Sequence, residues 1–372
     1  MKKDVQQVLM DLVNIPTYGG VDKNHPIVEY LEEAFSTCLE VMRLQDEQGN
    51  NHFLIGVNTR LGNVCNAFMF SGHIDTVPPS AQHQANAVLE NGHVEGLGSA
   101  DMKGFVASLI ANIDNFKQIK RPIIISLTSD EETDFYGIET ILAAMQERRV
   151  VPSAIIIGEP TSSQVALSHR GNSIFSSEVE GLSCHSSTPE LGINAINLSM
   201  EAISKIEECI QKYRDDASIC ITKIEGGKAC NIVPNLCKTT ISVRTNSAKC
   251  LREISHDFKN IYSMIDKKAI KASIRNGFTI PAFENNGNKM FELFKDKQII
   301  NFTGASEAGF IQQVFSSANM AIFGPGNQNC IHKEGEKMNI EELINYSHSL
   351  PNLVEKYYSV QKENSYNYGS QS

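Results

Sequence analysis

Four short stretches of this chain are apolar at nearly every position rather than at every second one. They are residues 52–58 (HFLIGVN), 66–71 (NAFMFS), 122–128 (PIIISLT) and 153–157 (SAIII). A strand with one wet face alternates apolar and polar side chains, whereas continuous runs suit strands covered on both faces. Before and between them lie stretches with helical spacing, at 25–37, 103–116 and 137–147. Strand-like and helix-like segments that take turns in this way predict an α/β fold, a mostly parallel sheet with helices on both faces.

After Gly171 the pattern changes. Residues 173–180 (SIFSSEVE) and 238–244 (KTTISVR) alternate as half-buried strands do, with helical stretches at 193–213 and 247–266 and a further strand at 269–275. The β-α-β-β-α-β order predicts a small α/β sandwich with one open sheet face. The first style returns with FELF, NMAIF and a helix from Ile340. A chain of 372 residues is also too long for one ordinary core. The expected organisation is a catalytic domain (1–171 and 286–372) interrupted by an inserted lid (172–285).

Titratable residues collect just after the apolar runs. His73 and Asp75 follow AFMFSG, Asp130, Glu131 and Glu132 follow IIISLTS, Glu159 follows AIIIG, and His332 follows NMAIFGPGNQNC. Asp101 precedes a helix in GLGSADMKG. Ligands of open α/β sheets bind beyond the carboxyl ends of the strands, so all of these can meet at one edge. Each has an ordinary explanation by itself. The His-x-Asp pair could cap a turn or belong to a hydrolase triad, Asp101 could cap a helix, and the acidic pair could be a solvated turn. Recurrence at one topological level favours a single site. Carboxylates with histidines and no thiolate suit divalent zinc, cobalt or manganese.

Together SGHIDTVP, GLGSADMKG, TSDEET, GEPTS, CHSSTPELGINAI and GPGNQNCIH make nearly the whole chain resemble the zinc-dependent M20 peptidases and amidohydrolases. GKACNIVP and GASEAGFIQQ narrow the resemblance to members that deacylate amino acids. It implies a zinc exopeptidase-like catalytic domain holding two divalent ions per chain. His73, Asp101 and Glu159 would hold one and Asp101, Glu132 and His332 the other, with Asp101 shared. It implies that Glu131 is the general base and acid, that Asp75 orients His73, and that His185 polarises the scissile carbonyl from the partner subunit of a homodimer joined through the lids. Arg244, Asn231 and Arg170 take substrate-binding positions. The expected reaction is hydrolysis of an N-acyl amino acid. A desuccinylase, a dipeptidase and a non-catalytic cleft binder are the alternatives, the last disfavoured because every implied position is intact.

The chain departs from the resemblance where relatives carry a tryptophan after the first motif. Here AQHQANAV stands and the chain has no tryptophan. Cys184 replaces a common glycine before His185 and reads as a tolerated small residue. A net charge of -10 argues against nucleic-acid binding. No apolar run is long enough to span a membrane, and the start lacks the apolar core of a signal peptide. Nine scattered cysteines without a CxxC pair predict reduced thiols in a cytoplasm, and the polar end NSYNYGSQS predicts a frayed tail.

Overall fold

The computed structural model describes residues 4–80, 86–285 and 287–368. Two compact units emerge. The first comprises Met1–Ser168, Glu284–Phe302 and Ser306–Ser372, and the second His169–Phe283 with Thr303–Ala305.

In the first unit, β1 (Glu40–Gln45), β2 (Asn51–Gly56), β3 (Val64–His73), β4 (Ile123–Thr128) and β5 (Val150–Ile157) precede the inserted unit. The inserted unit contributes β6 (Gly171–Glu180), β7 (Ala217–Gly226), β8 (Leu236–Thr245) and β9 (Lys271–Ile280), and β10 (Asn319–Ile322) follows it. The first sheet runs β1-β2-β4-β3-β5-β10. Strands β4, β3, β5 and β10 are mutually parallel, while β2 pairs antiparallel with β4 and β1 with β2. As the continuous apolar runs require, β2 and β4 are buried along their full length.

Helices cover this sheet; those ahead of the inserted unit are, in chain order, α1 (Val5–Val13), α2 (Pro26–Phe35), α3 (Gly104–Ala111), α4 (Ile113–Ile119) and α5 (Tyr136–Glu147). Helix α1 (Val5–Val13) is capped by Asp4, whose carboxylate accepts from the Gln6 backbone, and it buries Val5, Val8, Leu9 and Leu12 at helical spacing. It packs on α3 (Gly104–Ala111), every described residue of which is buried except Ala111. The single helix expected over 103–116 is broken, and a second, Ile113–Ile119, follows Asn112. The Asn112 amide donates to the Ser108 carbonyl and to the carbonyl and hydroxyl of Ser347, so a buried polar anchor interrupts the apolar pattern. The closing helix, Ile340–Tyr368, runs into the stretch expected to fray; the last four residues lie outside those described. Residues 81–85 of the stretch lacking tryptophan do too.

The second unit has one antiparallel sheet, β7-β8-β6-β9, with α6 (Ala195–Ile210) and α7 (Ala248–Asp266) packed on it. Phe175, Val179, Ile241 and Val243 from alternate strand positions meet Ile206, Ile254 and Phe258 from the helices. Strand β7 escaped a residue-level assignment because it is an edge strand, mostly exposed beyond Ala217, with a bulge between Ile221 and Lys223.

Candidate metal centre

The parallel register sets the site. His73 is the last residue of β3, directly opposite Thr128, the last of β4. The chain after β4 turns at once through Glu131 and Glu132, and Glu159 lies two residues beyond β5. Asp101 sits in the 99–103 turn ahead of α3, where it makes no helix cap; the N-cap position is Lys103, whose side chain makes no capping bond.

Imidazoles and carboxylates meet at these strand ends. His73 Nε2 lies 3.3 Å from Asp101 Oδ1. His332 Nε2 lies 3.3 Å from Asp101 Oδ2 and 2.7 Å from Glu132 Oε1. Asp101 therefore stands between the two histidines. Donor atoms of His73, Asp101 and Glu132 fall within 4.8 Å of one another, and so do those of His73, Glu131 and Glu159. All but His332 and Glu132 are buried. The triad alternative for His73 has no support in this arrangement, since its ring faces a carboxylate on each side.

Asp75 touches more than the His73 ring. The ring's Nδ1 is 3.0 Å from the Asp75 backbone carbonyl and 3.5 Å from its carboxylate. The carboxylate accepts instead from the backbone N–H groups of Glu131 (3.2 Å) and Glu132 (2.9 Å). Those two glutamates lie in a turn, not on the extended segment that a simple alternation argument would use to separate them.

Charge is crowded here. Burial first, then the charge of Glu159, pushes Glu131 well above the usual carboxylate range. Burial and then Asp101 do the same to Glu159. Burial would pull His73 down, but its bonds to Asp101 and Asp75 prevail and hold it well above its ordinary value. His332 is pushed up to about 10 by its bonds to Asp101 and Glu132. Asp101 is lowered, because the two histidines outweigh its burial.

Several supporting groups hold no role that the motifs imply. Glu336 accepts from the backbone N–H groups of Ala100 (2.9 Å) and Asp101 (3.1 Å), fixing the turn that presents Asp101. Its place four residues after His332 is the one sequence clue. His52 accepts at Nδ1 from the Ser129 N–H (3.2 Å) and donates from Nε2 to Asp46 (3.2 Å), while Asp130 accepts from the Gly137 N–H. Asp46, His52 and Asp130 also cluster, yet each is engaged in these bonds, and Asp46 further accepts from Gln48 and Asn50. This cluster braces the turn.

The residues expected to meet substrate belong to the second unit. His185 is exposed; its Nδ1 is 2.7 Å from the Ser187 hydroxyl, and its strand bridge to Ile232 brings it beside Asn231, whose carbonyl accepts from the Ser186 N–H. Arg170 donates to the Arg244 carbonyl (2.9 Å) and to the Ser218 hydroxyl (3.2 Å), so these two arginines are neighbours. His185 with Asn231 and Arg170 with Arg244 form two separate pairs.

The donor set fits divalent cations. It consists of carboxylates and imidazoles, and the buried Glu159 Oε1 has no hydrogen-bond partner in the protein. A buried carboxylate oxygen aimed into a cluster of other carboxylates is stable beside a cation and costly without one.

Residues 69–356 match Peptidase family M20/M25/M40. The chain belongs to this family. Among curated relatives it is similar to an acetylornithine deacetylase of Buchnera aphidicola subsp. Acyrthosiphon pisum (strain Tuc7), at 28% identity over 89% of this chain and 92% of that one. Among solved structures it is similar to a tripeptidase from Staphylococcus aureus, with a TM-score of 0.77 at 20% identity over 96% of this chain and 98% of the other. It is also similar to a Bacillus subtilis protein described as a dinuclear metal binding peptidase from the M20 family, with a TM-score of 0.69 at 16% identity over 94% and 96%. These likenesses establish the M20 fold. Among the described residues no helix is long and apolar enough to cross a membrane.

Proposed function

We propose that this M20 chain is a dinuclear zinc amidohydrolase that cleaves N2-acetyl-L-ornithine to ornithine and acetate, a cytoplasmic step of arginine biosynthesis. The observation that carries the hydrolytic reading is Asp101 standing between His73 and His332, with Glu132 and the unpartnered Glu159 beside it. The substrate rests on GEPTS, HSSTPELGINAI and GKACNIVP in the sequence and on the similarity to acetylornithine deacetylases.

His73, Asp101 and Glu159 would hold one ion, and Asp101, Glu132 and His332 the second; cobalt or manganese would suit the same donors. When bound, such ions supply Lewis acidity and acidify a shared water towards neutral pH. The remaining chemistry belongs to the chain. Glu131 is a buried carboxyl with an oxygen within 4.8 Å of donor atoms of His73 and Glu159, so it is placed to take a proton from water and return it to the departing amine. Asp75 holds Glu131 and Glu132 by their backbones and His73 by its ring, which keeps base and ligands in one frame. His185, supplied by the partner of a lid-joined homodimer, would donate to the oxygen that gains charge, and Arg244, Asn231 and Arg170 would bind the amino-acid part.

Release of ornithine from acetylornithine, with and without chelator, tests this reading. Turnover that chelation abolishes and zinc restores is the expected result. Faster turnover of succinyl-diaminopimelate or of dipeptides would keep the chemistry and replace the substrate.

A further inference from the structure

The GASEAGF segment places a carboxyl beneath the metal centre that none of the roles above employs. Glu307 precedes the helix Ala308–Val314 in the first unit and is buried at 1% exposure. One of its oxygens accepts from the Ser71 hydroxyl at 2.8 Å, and the other from the Thr128 hydroxyl. Ser71 lies two residues before His73 on β3 and therefore on the same face; Thr128 ends β4 and stands opposite His73. Both hydroxyls are fully buried. A single side chain from a distant part of the sequence thus bridges the two central strands at the level where one releases His73 and the other the glutamate turn.

Burial pushes the Glu307 carboxyl up to about 7. An acid in such a place costs stability, and an apolar side chain of similar volume would fill the space without that cost, although it would leave two hydroxyls unsatisfied. The backbone ladder between these strands reaches this same level, with a bond from the Ile74 N–H to the Thr128 carbonyl, so the clamp acts at the end of the paired segment.

We infer that Glu307 is a positioning residue for the metal centre, its carboxyl fixing the separation of β3 and β4 where they present His73 and the Glu131–Glu132 turn. The role rests on the dinuclear reading of the site. Removing the clamp lets the histidine and the acidic turn drift apart, so metal affinity falls before the fold fails.

Zinc titration of the metal-free parent, Glu307→Gln and Glu307→Leu chains tests this, with thermal unfolding of each metal-free form alongside. An amide can still accept from one hydroxyl and donate to the other, so Glu307→Gln should bind zinc as the parent does. Glu307→Leu should lose about 10–100-fold in affinity for the weaker-bound ion, the usual cost of losing an outer support. Its kcat should fall while KM stays unchanged. A folded Glu307→Leu chain with parent affinity overturns the role, and so does a Glu307→Gln chain as weak as Glu307→Leu, which would make charge rather than the clamp responsible. Should Glu307→Leu fail to fold, Ser71→Ala with Thr128→Val removes the clamp from the other side, and undiminished zinc affinity there overturns it equally. A parent chain that binds no zinc instead removes the metal centre itself; a parent that binds it beside an unaffected Glu307→Leu chain refutes this role alone.

Discussion

The two sheets of this molecule solve different problems. The first is parallel at its centre and covered on both faces, so its side chains along the strands are committed to the core and chemistry is confined to the strand ends. Polar groups there are buried, close together and strongly perturbed. The second sheet is antiparallel, its strand β6 burying every second residue, and its candidate functional groups are exposed or half-buried. His185 and Glu132 show the contrast, the first bonded to a neighbouring serine, the second to a histidine that also faces Asp101. Buried carboxylates held against each other call for a cation, whereas an exposed histidine is already served by water and its neighbours.

The largest effects should therefore come from the first unit. Asp101→Ala removes the carboxylate between the two histidines and should abolish both metal binding and turnover, read by elemental analysis of zinc-reconstituted protein, which for the parent should give about two ions per chain. Glu131→Gln should separate the two properties, lowering kcat by about 10²–10⁴ or more with metal content at the parent level. Metal lost together with activity in Glu131→Gln would make Glu131 a ligand and give its role to another group.

In the second unit His185→Ala should lower kcat by about 10²–10³, the cost of one lost oxyanion donor, and leave zinc binding intact. Mixing inactive Glu131→Gln and inactive His185→Ala chains sharpens this. If His185 serves the partner's site, subunit exchange restores a site with both groups, and activity returns. Confirmed exchange without activity would confine His185 to its own chain or to no role.

Parent and variant compared across pH read one group of the second unit. His169 is buried, and desolvation, opposed by its bond to the Arg170 carbonyl, brings it down to about 4 from 6.5. The folded state thus prefers the neutral ring, and the unfolded chain takes up a proton first as pH falls. The contribution is fully present above pH 6.5 and is lost between 6.5 and about 4, at most about 3 kcal/mol at 1.36 kcal/mol per unit. His169→Gln should flatten that part of the urea-unfolding profile. An unchanged slope would mean that His169 titrates normally.

How much of this was legible in the sequence follows from the same contrast. Continuous runs such as IIIS located the central strands, and alternation located β6 and β8, because burial on two faces or on one writes directly into the period. Strand β7 left little trace, since an exposed edge strand with a bulge has no apolar face to repeat. The site residues at strand ends were visible as motifs. Glu307 lies in GASEAGFIQQ and His52 opens an apolar run, yet these two and Glu336 had no legible role, because each acts on a backbone or hydroxyl group far away in sequence, and no local period marks such a contact. The broken helix at Asn112 is a miss of the same kind, decided by Ser347 more than two hundred positions on.

The smallest predicted effect asks whether the two units are energetically separate. Asn194 caps α6, its side-chain oxygen accepting from the backbone N–H groups of Ile196 (3.0 Å) and Asn197 (3.2 Å). These are two of the donors that a helix start leaves without partners inside the helix. Asn194→Ala should cost about 1 kcal/mol, the usual loss for such a cap. Helix α6 packs on β6, β7 and β8, so the loss should appear in the unfolding of the second unit. The proposed metal ligands are side chains of the first unit, so zinc affinity should not change. Measured by urea unfolding followed in parallel with zinc titration, an unchanged affinity beside a lowered midpoint would establish two independently stabilised units. A zinc affinity that falls along with the cap would show that the sandwich helps to hold the metal centre in shape, and the division of labour between the sheets would have to be withdrawn.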